Sequence, residues 1–422
     1  MVTKKSESTE EERKRDDAPP KKHLPEMNIG IVGHVDHGKT TLTQALTGKF
    51  TDEHSEELKR GISIRLGYAD MEIRKCPKCE GARAYTTMPK CMEHELDTEY
   101  VRSLSVIDCP GHETLMATVL TGASLMDGAL LVIAANEEVP QPQTAEHLMV
   151  LNIAGIKNIV IVQNKIDLVD EAQMRKNYNQ IKAFVKGSVA ENAPIIPVSA
   201  QHKANIDVLL AAIAEVIKPK PHDPKADPLM YIARSFDVNK PGTDINALVG
   251  AVVGGSIVRG ELKAGDKIEI RPGAKKDSKW IPLKSTVASM NQGGVSVNVG
   301  KPGGLLSVGT LLDPALAKSD NLVGNVLGLE GKLPQVFNTL KLEMHTLERT
   351  VDAKQVKGDV RQNDALLMNV NTSRTIGTCT KPGKISEFAL KIPVCASIGD
   401  KVALSRQIES KWRLIGWGLI KE

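Results

Sequence analysis

Apolar residues recur along the first half of the chain in short unbroken runs, separated by stretches of helical period. Met27–Val32, Val106–Ile107, Ala129–Ala134, Ile159–Val162 and Pro194–Val198 read as buried strands. Between them, Gln143–Ala154 and Glu171–Ala183 read as amphipathic helices, and Thr41–Leu46 opens another. Over residues 25–218 this alternation predicts a mainly parallel sheet with helices on both faces and ligands at the carboxyl ends of the strands. Residues 219–228, Pro-Lys-Pro-His-Asp-Pro-Lys-Ala-Asp-Pro, form a stiff linker. Beyond it the period changes. Met230–Val238, Ala251–Ile257, Lys267–Ile270 and Leu305–Val308 are β-type runs punctuated by Gly-Gly, Pro-Gly and Ala-Gly-Asp turns. They predict a small barrel over 219–330, and a second all-β domain follows over 331–422. Residues 1–24 carry almost no apolar side chain and read as a disordered tail.

Composition narrows the class without naming it. A chain of 422 residues is too long for one core, which agrees with two or three domains. Charged residues at 25% and hydrophobic ones at 41% are ordinary for a soluble protein. A net charge of +4 means that any RNA site must be a local patch. Basic residues such as Lys381, Lys384, Arg406, Lys411 and Arg413 are either such a patch or a solvated face. No signal peptide is visible, and no apolar run approaches the roughly 20 residues that span a bilayer. The expectation is a cytoplasmic protein with no membrane role, whose six cysteines are thiols or metal ligands.

The most informative stretch is Gly33-His34-Val35-Asp36-His37-Gly38-Lys39-Thr40, which follows a strand and opens a helix. It fits G-x-x-x-x-G-K-[ST], in which glycines let backbone N–H groups converge on phosphate oxygens and the helix adds its positive end. Asp36, His37, Gly38, Lys39, Thr40 and Thr41 are the candidate phosphate-binding residues. Lys39 is placed to reach the β- and γ-phosphates and the Thr40 hydroxyl to ligate Mg²⁺. The side chains of His34, Asp36 and His37 are read as shaping the turn.

Four further stretches complete a nucleotide site. In Asp108-Cys109-Pro110-Gly111-His112, Asp108 can hold Mg²⁺ through water, and Gly111 can bring its N–H to a γ-phosphate. His112 can orient the attacking water, against the plainer reading of a capping or solvent-facing histidine. In Asn164-Lys165-Ile166-Asp167, the Asp167 carboxylate can accept two hydrogen bonds from guanine, while the Lys165 stem lies over the base. Adenine would leave that carboxylate desolvated and unpaired, so the expected nucleotide is GTP, with GDP as product. Ser199-Ala200-Gln201 can close over the guanine carbonyl. Arg60-Gly61-Ile62-Ser63-Ile64 can offer the Ser63 hydroxyl to Mg²⁺ only while a γ-phosphate is present.

Together these motifs resemble those of translational GTPases, and more closely the gamma subunits of archaeal and eukaryotic translation initiation factor 2. Gly67–Ala69, Pro140–His147, Arg234–Gly242 and Trp412–Gly418 extend the resemblance over roughly residues 26–420. It implies an α/β GTPase domain followed by two β-barrel domains, with cofactors GTP/GDP, Mg²⁺ and Zn²⁺. It also implies slow hydrolysis of GTP, His112 being held from the water by Val35 and Ile62. Implied partners are the alpha and beta subunits of a heterotrimer, initiator methionyl-tRNA, the small ribosomal subunit and its mRNA. Ser63 stands where many relatives have Thr, and the hydroxyl is retained. The alternative is an elongator or selenocysteine-specific aminoacyl-tRNA carrier; the cysteine insert, Trp412–Gly418 and the absence of sequence after residue 422 weigh against it.

Inside the insert, about residues 74–97, Cys76-Pro77-Lys78-Cys79 is followed by Cys91-Met92-Glu93-His94. Two pairs with two-residue gaps suit a tetrahedral Cys₃His zinc knuckle. The resembling archaeal chains carry a fourth cysteine, so His94 is either the fourth ligand or a surface residue. Cys109, Cys379 and Cys395 lack such spacing and are expected to be buried.

Overall fold

The first half of the chain builds a sheet from β1 (Asn28–Gly33), β2 (Gly67–Lys75), β3 (Tyr85–Thr86), β4 (Glu99–Asp108), β5 (Gly128–Ala134), β6 (Ile159–Asn164) and β7 (Ile195–Pro197). Its helices are α1 (Lys39–Thr47), α2 (Met116–Ala123), α3 (Pro142–Ala154), α4 (Glu171–Val185) and α5 (Ile206–Val216). This computed structural model describes residues 23–51, 63, 65–112, 115–240, 242–244, 248–346, 359–408 and 411–422. The expected tail up to residue 22, all of Arg60–Ile64 except Ser63, and Pro241 lie outside the described residues.

Strand order is β3-β2-β4-β1-β5-β6-β7. β4, β1, β5, β6 and β7 run parallel, as the sequence pattern requires. β1, β5 and β6 are buried along their whole length because both faces are covered. Alternate side chains divide between the two faces. Ile29, Ile31, Leu130, Val132, Val160 and Val162 pack with Leu42 and Leu46 of α1 and Leu209 and Ile213 of α5. Leu131, Ile133 and Ile161 pack with Leu120 of α2, Leu148 and Leu151 of α3, and Ile181 of α4. Register places Ile31 opposite both Asp108 and Leu130, so the loops after β1, β4 and β5 leave the same edge.

The sheet is mainly parallel, as expected, with one antiparallel edge. β2 pairs antiparallel with β4, and β3 antiparallel with β2. The chain between β2 and β4 holds only the cysteine insert, with a single 3₁₀ turn at Gly81–Ala84. Without a helical crossover the chain returns antiparallel.

The second half forms two barrels. In the first, Lys267–Lys276, Val326–Leu329, Leu229–Phe236, Val252–Arg259, Leu306–Thr310 and Lys279–Gln292 pair in that order, and the last pairs with the first. In the second, Val336–Thr346, Ile385–Cys395, Ser373–Lys381, Ala365–Val370, Lys401–Ile408 and Lys411–Lys421 close in the same way. Both are packed against the first domain. Asn28 Nδ2 donates to Ser256 Oγ of the first barrel at 2.9 Å, and Leu305 N–H to Ser105 Oγ at 3.2 Å. From the second barrel, Lys401 Nζ donates to Ile153 O at 2.8 Å, and Ala403 and Leu414 join the core beneath α2 and α3.

A buried ion pair also crosses this second junction. Arg413 Nη1 lies 3.1 Å from Glu146 Oε1, with the two side chains 12% and 2% exposed. Arg413, a candidate RNA contact by charge alone, is thus turned into the protein. Arg413→Ala takes the cation away from the buried Glu146 carboxylate and should lower stability by about 3 kcal/mol. Urea unfolding followed by tryptophan fluorescence measures this. The double variant Glu146→Gln, Arg413→Met should lose far less, because no buried charge remains.

Candidate nucleotide site and cysteine–histidine cluster

The turn between β1 and α1 is shaped by residues that tolerate a left-handed backbone. Asp36 has φ 61° and Gly38 φ 84°. A Cβ at Gly38 would stand 2.4 Å from Asn164 Nδ2, so glycine is required twice over. No described side chain caps α1, which leaves its first N–H groups directed out of the helix, where an anion binds. Lys39 folds back and donates to His34 O at 2.6 Å.

Two other loops close on this turn. Thr40 Oγ1 and Ser63 Oγ lie 3.1 Å apart, so the two expected Mg²⁺ hydroxyls already face one another. Asp108 ends β4 with its Oδ2 accepting from Thr51 Oγ1 at 2.7 Å. A Cβ at Gly111 would lie 2.5 Å from Lys39 Nζ and 2.8 Å from Val35 N. Only glycine can press that close. Val35, Asp36, Gly38, Lys39, Thr40, Thr41, Phe50, Ser63, Gly111, His112 and Lys165 line one cavity of about 470 Å³.

Other expected residues lie outside that lining. Asp108 and His37 are buried, at 1% and 0% exposure. Burial lowers the His37 pKa to about 4; its Nδ1 donates to Val132 O at 3.0 Å, and its Nε2 lies 3.3 Å from Glu137 Oε2. Its side chain shapes the turn, which leaves only its backbone for phosphate. Asn164 bridges loops: Nδ2 donates to His37 O at 2.9 Å, and Oδ1 accepts from Ala200 N at 3.0 Å. Lys165 has φ 62° at the start of the turn that carries Asp167. The Ser199 hydroxyl, by hydrogen bonding, lowers the Asp167 pKa and keeps the carboxylate an acceptor. Gln201 is exposed on the same loop as Ser199 and Ala200.

The insert brings four donor atoms together. Cys76, Cys79 and Cys91 Sγ and His94 Nδ1 all lie within 4.8 Å of one another. Cys79 and Cys91 sulfurs are 3.7 Å apart, and His94 Nδ1 is 3.4 Å from Cys79 and 3.7 Å from both Cys76 and Cys91. Zn–S bonds of about 2.3 Å at tetrahedral angles put sulfurs about 3.8 Å apart, so the donor set fits Zn²⁺. The backbone N–H of His94 lowers the Cys91 thiol pKa, while burial and the neighbouring thiols of Cys76 and Cys91 push that of Cys79 up to about 12. Cys109, Cys379 and Cys395 are buried singly.

Two residues of this region had no role assigned from sequence. Glu146 and His147 fall among the buried positions of α3, beside Leu148 and Leu151. Adjacent ionisable residues on an apolar stripe were the available signal. His147 accepts a hydrogen bond from Gly33 N at 2.8 Å.

Comparison with known proteins agrees with this geometry. Residues 24–219 match the elongation factor Tu GTP binding domain family, and residues 338–420 match the family described as initiation factor eIF2 gamma, C terminal. The translation initiation factor 2 subunit gamma of Methanocaldococcus jannaschii is 57% identical over 403 residues, covering 94% of this chain and 97% of that one. Its counterpart in Halobacterium salinarum is 52% identical over 407 residues, covering 94% and 98%. Among solved structures, the bacterial selenocysteine-specific elongation factor EF-Sec is similar with TM-score 0.72 at 26% identity, covering 94% of this chain and 58% of that one. The elongation factor SelB of Methanococcus maripaludis, solved with a GTP analogue, shares the fold with TM-score 0.71 at 21% identity, covering 95% and 80%. Motifs, sheet order, the two barrels and these identities converge: the chain belongs to the gamma subunits of translation initiation factor 2, a family of translational GTPases.

Proposed function

We propose that this GTPase holds initiator methionyl-tRNA in its GTP state, within a heterotrimer with alpha and beta subunits, and releases it on the small ribosomal subunit in the cytoplasm. The observation that carries the switch is the closure of two loops on one turn. Ser63 meets Thr40, and Gly111 abuts Val35 and Lys39. A γ-phosphate with its metal engages both loops, and hydrolysis to GDP releases both.

In this reading Lys39 and the α1 N–H groups bind the β- and γ-phosphates, and Asp167, Asn164 and Ala200 hold guanine. Thr40 and Ser63 would hold Mg²⁺ directly and Asp108 through water, and the ion would supply neutralising charge to the transferred phosphoryl group. His112, on the same cavity, orients the attacking water. The signal reaches the barrels along β2, whose Gly67 pairs with Asp108 only four residues beyond Ser63. β2 also forms one wall of a cleft with the first barrel, lined by Tyr68, Asp70, Arg234 and Phe236. The selenocysteine-carrier reading has only the more distant structural likeness behind it.

Three outcomes are expected. Asp167→Asn should weaken GTP binding and favour xanthosine triphosphate, whose C2 oxygen accepts from the new amide; equal GTP affinity in a labelled-nucleotide titration contradicts this. Freshly purified protein should contain one Zn²⁺ per chain by metal analysis, lost in the double variant Cys79→Ser, Cys91→Ser. The assembled heterotrimer should protect the methionyl ester of initiator tRNA better with a GTP analogue than with GDP. The expected preference is about 5–150-fold, ~1–3 kcal/mol of coupling. Equal protection rejects the switch, and stronger protection of elongator tRNA favours the alternative carrier.

A further inference from the structure

The first amide of the phosphate loop is held by a side chain far away in sequence. Gly33 N–H donates to His147 Nδ1 at 2.8 Å, across 114 residues. His147 is fully buried on α3. An amide can only donate, so Nδ1 is the bare nitrogen of a neutral ring and the proton sits on Nε2. Burial reinforces this state, lowering the pKa to about 3. The imidazole is therefore a fixed acceptor throughout the physiological range.

Its position matters because the loop is threaded through a tight point there. Gly33 has φ 150°, and a Cβ on it would stand 2.3 Å from Val132 O. The next residue, His34, supplies the carbonyl that receives Lys39 Nζ. A rotation at Gly33 turns that carbonyl and swings the amides that follow. We propose that His147 is a positioning residue for the reaction, fixing the entry of the phosphate loop by accepting the Gly33 N–H.

This rests on the reading of the loop cavity as the GTP site. Without the acceptor, the empty loop relaxes to arrangements that satisfy Gly33 N–H elsewhere, and nucleotide must select the competent one. The affinity loss is bounded by the penalty of an unmade buried hydrogen bond. Because the tether lies at the loop's entry, GTP and GDP should be affected alike.

The test uses the full-length chain, with fluorescently labelled GTP and GDP, and the variants His147→Leu and His147→Asn. Leucine fills the space and cannot accept. Asparagine carries an acceptor oxygen one bond from Cγ, where Nδ1 stands. His147→Leu should weaken both nucleotides roughly 5- to 150-fold and raise KM for GTP with little change in kcat. His147→Asn should recover affinity to within about threefold, as expected when the acceptor is restored. Equal loss in both variants, unchanged affinity in His147→Leu, or a loss confined to kcat overturns the proposal. If His147→Leu does not fold, His147→Gln replaces it. Its acceptor sits one bond too far, so it should bind more weakly than His147→Asn, and equal binding overturns the proposal. Failure of the parent protein to bind either nucleotide would reject the GTP-site reading instead.

Discussion

Backbone amides can close on a triphosphate only where no Cβ stands between them and the phosphates, and this requirement organises the molecule. Gly38 leaves room for Asn164, and Gly111 leaves room for Val35 and Lys39. A loop without side-chain bulk has little to hold it, and its own residues lose much entropy on ordering. The holding is done from outside. Asn164 at the end of β6 grips His37 O, and His147 on α3 grips Gly33 N–H. Lys39 ties the loop to itself through His34 O. Each tether comes from an element packed into the sheet, so the rigidity of the core is lent to the loop.

The same arrangement explains how a small phosphate can matter to barrels that do not touch it. β2 and β4 are paired along nine positions, from Gly67 opposite Asp108 to Lys75 opposite Glu99. Asp108 thus ends β4 directly opposite Gly67, the first residue of β2, four residues after Ser63. On the far side, α3 carries both the loop tether and Glu146, whose ion pair reaches Arg413 of the second barrel. Antiparallel pairing fixes the register of β2 on β4, because a one-residue slip would turn every side chain to the other face.

Legibility from sequence followed the range of the interactions. The buried strands β1, β5 and β6 were plain because both faces are covered and the apolar runs are unbroken. β2 escaped notice, since only Ala69, Met71 and Ile73 are buried and polar residues alternate with them. Lys279–Gln292, fourteen residues long, was missed as well, with only Val287, Met290 and Gln292 buried along it. The phosphate, magnesium and guanine motifs are local in sequence, so their residue types could be read directly. The Gly33–His147 and Asn28–Ser256 bonds span 114 and 228 residues and exist only once the sheet and barrel have formed. Charge alone misplaced Arg413 as a possible surface contact for that reason.

The cysteine insert answers a different physical need. It leaves the sheet at the edge formed by β2, against which β3 contributes only two residues. A segment this short cannot bury a core of its own, and a metal clip supplies what burial cannot. Its base is fixed independently, since Arg74 donates to both Thr98 Oγ1 and Thr98 O, at 2.9 and 2.7 Å. Cys76, Cys79, Cys91 and His94 therefore cluster at the tip of a loop whose ends are already joined. The pairing of Gly67 with Asp108 lies at the opposite end of β2, beyond that clamp. The cysteine–histidine cluster and the pairing that borders the nucleotide cavity therefore lie at the two ends of one strand.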